Sequence, residues 1–368
     1  MPARVLQIIP TLVQGGAEKQ CTLLATRLPR DEFEVHVAVL THTGPYEREL
    51  VAAGIPVHHI HKRWKVDPFA YFRLKKLIRD LQPQIVQTWL FAANSYGRSA
   101  AKSAGIKHIL ASERCVDPWK STPALWLDRY QARYTEKIVT NSSGVVDFYK
   151  NSGIPADKFV VIPNGIPEKI VSNTSLTRNE LLKSLNLPAD GKLVGTIGRL
   201  WPQKRMKDAI WATDLLKCIR DDVHLLIIGD GPQRKLLEQF RAKVEIEDRV
   251  HFLGHRKDIA ELLPHLDAFW LCSGYEGQSN SVMEAMQAGV PVIATDIPGN
   301  RDLMQSGEHG FLVDIGDRSE FAKKTELILN DATLRTKLIT AAQHRMRTEF
   351  SLDKMIDGYA ELYRSLLR

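Results

Sequence analysis

Ala268-Phe-Trp-Leu-Cys-Ser-Gly-Tyr-Glu-Gly-Gln-Ser-Asn-Ser-Val-Met-Glu-Ala-Met-Gln-Ala-Gly289 reads as a strand, a loop of small residues and the start of a helix. The apolar run 268–272 suits a buried strand, and a helix-like run begins near Asn280. Those three parts in that order make a phosphate site, because a helix start offers unpaired N–H groups and a positive dipole end. Glu276 falls in the loop and Glu284 in the first turns of the helix, with seven residues between them. Carboxylates so placed suit sugar hydroxyls beside a diphosphate, not the phosphates themselves. Taken alone, the pair reads equally well as exposed acids, or Glu284 as support for the helix start.

The same alternation extends in both directions. Strands are expected at 5–9, 35–40, 56–60, 85–88, 108–111, 137–140 and 159–162, with helices such as 17–28, 68–81 and 92–104 between them. Further strands are expected at 193–197, 224–228, 250–253, 268–272, 292–295 and 310–313. Near-continuously apolar strands spaced by helices predict parallel, doubly wound sheets. The pattern breaks at 163–191, where Pro163, Pro167, Pro188, Gly165 and Gly191 accompany the polar run Ser172-Asn-Thr-Ser175. The expected organisation is therefore a domain at 1–168, a linker at 169–190 holding one helix at 178–185, and a domain at 191–350. A C-terminal helix at 351–368, with Met355, Ile356, Tyr359, Leu362, Tyr363 and Leu366 at helical spacing, would pack back on the first domain.

A chain of 368 residues, 44% hydrophobic and 25% charged, is an ordinary soluble globular composition with room for two cores. Its net charge of +7 fits an anionic partner, and many proteins carry such a charge without one. Cys21, Cys115, Cys218 and Cys272 form no Cys-x-x-Cys pair, which argues against a disulfide framework or a zinc site. No apolar run reaches the ~18 residues of a membrane span, and the first residues lack the pattern of a secretory signal. The expected place is the cytoplasm or the inner face of a membrane. No nucleic-acid module is recognisable, so no nucleic acid is expected.

Three further loops carry chemistry. Gly15-Gly16-Ala17-Glu18 follows the first strand and opens the first helix, where glycine lets backbone approach a phosphate. It lacks the full Gly-x-Gly-x-x-Gly pattern, and a plain strand-to-helix turn is an equal reading. In Gly195-Thr-Ile-Gly-Arg-Leu-Trp-Pro-Gln-Lys-Arg205, Arg199 and Lys204 follow a strand, where two cations can neutralise a diphosphate leaving group, the alternative being solvated surface charge, the usual fate of Arg and Lys. Leu253-Gly-His-Arg256-Lys-Asp258 joins another strand to a helix, with Asp258 near the helix start; backbone there could read a base edge, but taken alone the loop reads better as an ordinary strand-to-helix turn.

As a set, these stretches resemble the family-4 retaining glycosyltransferases of the GT-B fold (glycosyl transferases group 1). The resemblance covers nearly the whole chain. It rests on Gly-Gly-Ala-Glu, Val161-Ile-Pro-Asn-Gly-Ile166, Gly198-Arg199-Leu200 with Gln203-Lys204, Ile228-Gly-Asp-Gly-Pro232, the Glu276/Glu284 pair and Pro298-Gly299. It implies two Rossmann-like doubly wound domains facing across a cleft. It also implies transfer of a sugar, with retention, from a nucleotide diphosphate, uracil being the commonest base, to a glycan or lipid-linked acceptor in cell-envelope polysaccharide synthesis. Gly15 and Gly16 would face the diphosphate, and Arg199 and Lys204 would bind it. Glu284 would hold the ribose, and Glu276 the moving sugar. Backbone at Asn280, Ser281 and Val282 would touch phosphate, with Arg256 bordering the base. The leaving phosphate would help deprotonate the acceptor. No Asp-x-Asp pair occurs, which fits a site with no metal and no cofactor.

The resemblance also implies a histidine within Gln87-Thr-Trp-Leu-Phe-Ala-Ala-Asn94, at Ala92 or Ala93, yet none occurs between His61 and His108. Asn94 or Arg114 would then serve the acceptor side. A nucleotide-sugar epimerase of similar architecture and a non-catalytic nucleotide-sugar binder remain the rival readings.

One segment is left over. Lys62-Arg-Trp-Lys-Val-Asp-Pro-Phe-Ala-Tyr-Phe-Arg-Leu-Lys-Lys-Leu-Ile-Arg-Asp80 carries seven basic and two acidic residues with four aromatics among them. Such a stretch can lie on an anionic bilayer or meet a polyprenyl-diphosphate acceptor. The commoner outcome is an amphipathic helix with its aromatics in the core. A second aromatic stretch, Asp117-Pro-Trp-Lys-Ser-Thr-Pro-Ala-Leu-Trp126, is expected to be an acceptor-side loop.

Overall fold

The structure, a computed structural model, describes residues 1–168 and 176–368. They form two compact units: Met1–Gly165 with Leu352–Arg368, and Ile166–Ser351. Residues 169–175, the first part of the expected linker with its polar run, lie outside the described residues.

The first unit is built on a parallel sheet with strands β1 (Ala3–Ile9), β2 (Phe33–Val39), β3 (Val57–His59), β4 (Ile85–Trp89), β5 (His108–Glu113), β6 (Lys137–Thr140) and β7 (Phe159–Val161), in the order β3-β2-β1-β4-β5-β6-β7. β1 and β4, paired from Val5↔Ile85 to Ile8↔Thr88, are buried along almost their whole length, as strands covered by helices on both faces must be. Chain order reverses between them. Such a reversal leaves room for a ligand beyond the carboxyl ends of the strands.

Helix Leu352–Leu367 closes this unit, burying Met355, Ile356, Tyr359, Leu362 and Tyr363 against the core that holds Val5, Ile9 and Trp89. Its Tyr363 hydroxyl accepts from Gln7 Nε2 at 2.8 Å and donates to Gln87 Oε1 at 2.5 Å. Gln7 in turn accepts from Trp89 Nε1 at 2.6 Å. Buried glutamines in strands β1 and β4 are thus satisfied by the helix that arrives last in the chain.

The second unit repeats the plan with β8 (Lys192–Ile197), β9 (Val223–Ile228), β10 (Val250–Gly254), β11 (Ala268–Leu271), β12 (Val292–Thr295) and β13 (Phe311–Val313), in the order β10-β9-β8-β11-β12-β13. Its reversal falls between β8 and β11. Helix Arg178–Ser184, read from sequence as part of a linker, instead belongs to this unit: a Thr177/Glu180 capping box starts it, and Leu181 and Leu182 are buried in the core. Among the described residues no helix is long and apolar enough to cross a membrane.

Candidate active site

The two loops at the reversal of the second sheet are stitched together. The loop after β8 carries Arg199 and the 3-10 turn Pro202–Lys204; the loop after β11 carries Glu276. Lys204 Nζ lies 2.5 Å from Glu276 Oε1 in a pair whose side chains are mostly buried. Gln203 Nε2 donates to the Tyr275 carbonyl at 2.8 Å and to Glu276 Oε2 at 3.3 Å, while Gly274 N donates to the Gln203 carbonyl at 2.9 Å. Both Glu276 oxygens are therefore oriented by the neighbouring loop. Arg199 leaves that same loop five residues earlier with an exposed side chain, while Leu200 beside it is buried as an anchor.

Two glycine motifs shape these loops. Gly229, at φ +135°, lies against the Gly198 carbonyl so closely that a Cβ would stand 2.0 Å from its oxygen. At Gly299, in helix Pro298–Leu303, a Cβ would fall 1.6 Å from the Gly277 carbonyl oxygen. The Gly-Asp-Gly-Pro and Pro-Gly motifs thus act by letting backbone press on the loops that carry Arg199 and Glu276.

Helix Asn280–Gln287 starts where the β11 loop ends. Its N-cap, Ser279, makes no side-chain cap bond, its hydroxyl lying instead 3.1 Å from that of Ser281. The first-turn N–H groups, including those of Ser281 and Val282, have no acceptor within the helix. Glu284 follows one turn later, half-buried, while Val282, Met283, Ala285 and Met286 fill the core side. Arg256 stands after β10, its guanidinium forked onto Asp258, with Nε 2.8 Å from Oδ1. Asp258 does begin helix Ile259–Leu262, but its side chain turns to Arg256 and caps nothing.

In the first unit, Gly15 is the extended N-cap of helix Gly16–Arg27 and has no side chain to cap it. Glu18 of the same motif is buried and accepts from Thr11 Oγ1 at 2.9 Å, which folds the glycine loop over its strand. Gln20 grips both backbone groups of Gly165, donating at 3.0 Å and accepting at 3.1 Å. The Val161–Ile166 motif is thereby explained as an anchor.

Asn94 and Arg114 do not fit the acceptor-side role read from sequence. Asn94 is fully buried: its oxygen accepts from Thr88 Oγ1 at 2.6 Å, and its amide donates to Glu113 Oε1 at 2.8 Å. Arg114 is buried too, bonded to Asn164 and to the Tyr359 hydroxyl, with its guanidinium 5.3 Å over Trp89. Burial, the dominant influence, holds its pKa below the usual arginine value. Both side chains brace the interior; of the two positions of the expected histidine, Ala93 is core and Ala92 is half-buried.

Sequence reading missed a buried charge cluster at the end of β5. Lys120 Nζ lies 2.9 Å from Asp128 Oδ2, 2.6 Å from the Tyr149 hydroxyl, and 3.4 Å from both Glu113 and Asp117. Arg98 pairs with Asp128 at 2.6 Å. Burial pushes the Glu113 carboxyl up to about 7, with Asp128 and Asp117 adding to the effect and Lys120 and Arg98 opposing it. Burial disfavours the Lys120 charge, yet the three carboxylates around it hold its pKa above the ordinary value. The glutamate at a strand end beside Arg114 was the available signal.

Two sheets of this topology, each with loops gathered at a reversal, define a GT-B protein. Comparison with known proteins agrees. The family model Glycosyltransferase Family 4 matches residues 14–170 and the model Glycosyl transferases group 1 matches residues 177–345. The chain belongs to the GT4 glycosyltransferases, glycosyl transferases group 1, of the GT-B fold. It is 29% identical over 236 residues to the lipopolysaccharide core biosynthesis glycosyltransferase LpsE of Rhizobium meliloti, an alignment spanning 63% of this chain but only 65% of that one, just under two thirds. Over 97% of its length it is 25% identical to the UDP-Gal:alpha-D-GlcNAc-diphosphoundecaprenol alpha-1,3-galactosyltransferase of Escherichia coli, covering 95% of that protein. HepE of Anabaena, solved with UDP-glucose, superposes with a TM-score of 0.88 at 24% identity, covering 98% of this chain and 99% of HepE.

Proposed function

We propose that the protein is a retaining glycosyltransferase that uses a UDP-sugar and no metal, and glycosylates a glycan or lipid-linked acceptor in cell-envelope polysaccharide synthesis. The observation that carries the reading is the Lys204–Glu276 pair at the reversal of the second sheet, beside a helix start without a side-chain cap. Lys204 and Arg199 would hold the departing diphosphate, and the N–H groups near Asn280, Ser281 and Val282 would add to that charge stabilisation. Glu276, already oriented by Gln203, would take hydroxyls of the moving sugar. Glu284 would hold the ribose and Arg256 border the base. In the transfer, the bond from the anomeric carbon to the phosphate oxygen breaks, and a bond to the acceptor oxygen forms on the same face. The acceptor proton passes to the departing phosphate, so no protein base is needed.

The uridine donor draws support from HepE, solved with UDP-glucose, and the lipid-linked acceptor from the diphosphoundecaprenol named for the Escherichia coli relative. The segment 62–80 would face the membrane that holds such an acceptor. The test is product analysis over a panel of UDP-sugars with and without a lipid-linked acceptor. The expected outcome is a glycoside with the donor's anomeric configuration, formed only with acceptor present. An inverted product rejects retention, and conversion of the free donor without acceptor would point to the epimerase. Donor binding with no turnover on any acceptor would point to the non-catalytic binder.

A further inference from the structure

The segment 62–80 departs from the commoner expectation: of its four aromatics only Tyr71 packs against the core. Helix Pro68–Leu81 buries Ala70, Leu74 and Ile78, while Trp64, Phe69 and Phe72 are 57%, 65% and 62% exposed and Val66 beside them is bare as well. Asp67, one of the two acids, is buried and accepts from the backbone N–H groups of Arg63 and Ala70, so its charge serves the helix start. The other, Asp80, is paired with Lys76 at 2.6 Å. What faces outward is apolar and cationic, with Arg63, Lys65, Arg73 and Arg79 exposed.

A second face of the same kind lies two helices away. On helix Thr122–Ala132 and its C-cap, Trp126, Arg129, Tyr130 and Arg133 form one exposed stripe at helical spacing. The Trp126 and Tyr130 rings stack at 5.6 Å, and the Arg133 guanidinium sits 5.6 Å over Tyr130. The acid of this helix, Asp128, is turned inward to Arg98 and Lys120. Trp119, exposed in the loop before it, meets Phe91 edge-on at 5.7 Å.

Helix Leu90–Ser103 lies between the two faces and bonds to both sides. Its Tyr96 hydroxyl accepts from Asp67 N at 2.6 Å, and its ring carries Lys62 Nζ at 5.1 Å. On the other flank, Gln131 Nε2 donates to the Ser95 carbonyl and to Ser99 Oγ, each at 2.8 Å. The two aromatic, cationic faces are thus the flanks of one three-helix layer.

We propose that these flanks form a single docking surface for an anionic lipid bilayer. Indole and phenol rings suit the headgroup boundary, and Lys and Arg reach the lipid phosphates. Val66, Phe69 and Phe72 offer hydrocarbon with no hydrogen-bonding group, which a bilayer interface takes up and a phosphodiester strand does not. The inference rests on the membrane-facing reading of 62–80 and extends it to the residues 119–133.

The test is co-sedimentation of the full chain with phosphatidylcholine vesicles, with and without phosphatidylglycerol, in the absence of donor and acceptor. Binding should require the anionic lipid and weaken with salt. Lys65→Gln with Arg79→Gln, and separately Arg129→Gln with Arg133→Gln, should each lower partitioning about 25-fold, at about fivefold per charge. Phe69→Ser with Phe72→Ser and Trp126→Ser with Tyr130→Ser should also each reduce it, at unchanged melting temperature. Loss only in the 62–80 variants would overturn the joint surface and leave the reading of that segment standing. No effect from any variant, equal binding to phosphatidylcholine alone, or capture by an oligonucleotide with no vesicle binding overturns both. None of these outcomes touches the transferase reading, since no sugar is moved in the assay.

Discussion

Lys204 and Glu276 come from loops 72 residues apart, and each holds the other where a donor would need both. An ion pair at 2.5 Å holds the ammonium where, on the proposed function, leaving-group charge would develop, so truncation would remove a contact that strengthens in the transition state. Lys204→Ala should lower kcat by about 100-fold or more with a smaller change in KM, read by steady-state kinetics; unchanged kcat would reject the role. A different residue governs the response to pH. Glu113 is raised from 4.5 to about 7 chiefly by burial, so the folded chain keeps its proton to a higher pH than the unfolded chain does. Its contribution to stability is therefore full below about pH 4.5 and is lost as pH rises through about 7. Glu113→Gln should flatten the dependence of the melting temperature on pH across that window; an unaltered slope would show that another group carries it. At this scale the sequence was informative only where chemistry is local. Glu276, Glu284 and the helix start lie on one continuous stretch and could be read together. The partners of Lys204, Asn94 and Arg114 are tertiary, and Asn94 was misplaced because a polar residue near a strand end can equally face a ligand or a buried Glu113.

The elements were more legible, for a physical reason. Strands such as β4, β5 and β9 are buried on both faces, so each shows as a short apolar stretch, Ile85-Val86, Ile109-Leu-Ala111 and Leu225-Leu-Ile-Ile228, even with buried polar residues such as Gln87 and His224 beside it. Helices are ambiguous when apolar residues occupy more than one face. In Pro68–Leu81 the stripe Ala70, Leu74, Ile78 and the stripe Phe69, Phe72 both have helical spacing, and only packing decides which is core. Helix Arg178–Ser184 was legible as a helix at 178–185, but the prolines and glycines around it made it read as linker, although its buried leucines belong to the second core. The C-terminal helix gives the test at this scale. Its Tyr363 hydroxyl bridges Gln7 and Gln87, so Tyr363→Phe leaves two buried amides short of a partner. That should lower the stability of the first unit by about 1–3 kcal/mol, while Tyr363→Ala adds a cavity and should lower it by about 3–5 kcal/mol. In a urea titration that resolves the two units, the transition of Met1–Gly165 with Leu352–Arg368 should move and that of Ile166–Ser351 should stay. Equal movement of both would mean that the helix serves the whole chain and not its own unit.

Across the whole molecule, the excess of cations over acids, +7 in all, bears on how diphosphate charge is met. A transferase can neutralise a leaving diphosphate with a bound divalent cation or with its own side chains and helix starts, and the choice is visible in solution. Here Arg199 and Lys204 share the loop after β8, and the start of helix Asn280–Gln287 follows the loop after β11, so fixed positive charge and N–H groups gather at the reversal of the second sheet. Fixed groups of this kind need no reorganisation as charge develops, which is how preorganised sites lower a barrier. Turnover should therefore be unchanged after exhaustive treatment with EDTA and should not rise when magnesium or manganese is returned. Raised salt should weaken donor binding, since screening acts on the exposed Arg199 more than on the mostly buried Lys204 pair. If EDTA abolishes transfer and a divalent cation restores it, the charge on the diphosphate is met by a metal, and the assignment of Arg199 and Lys204 as its replacement is wrong.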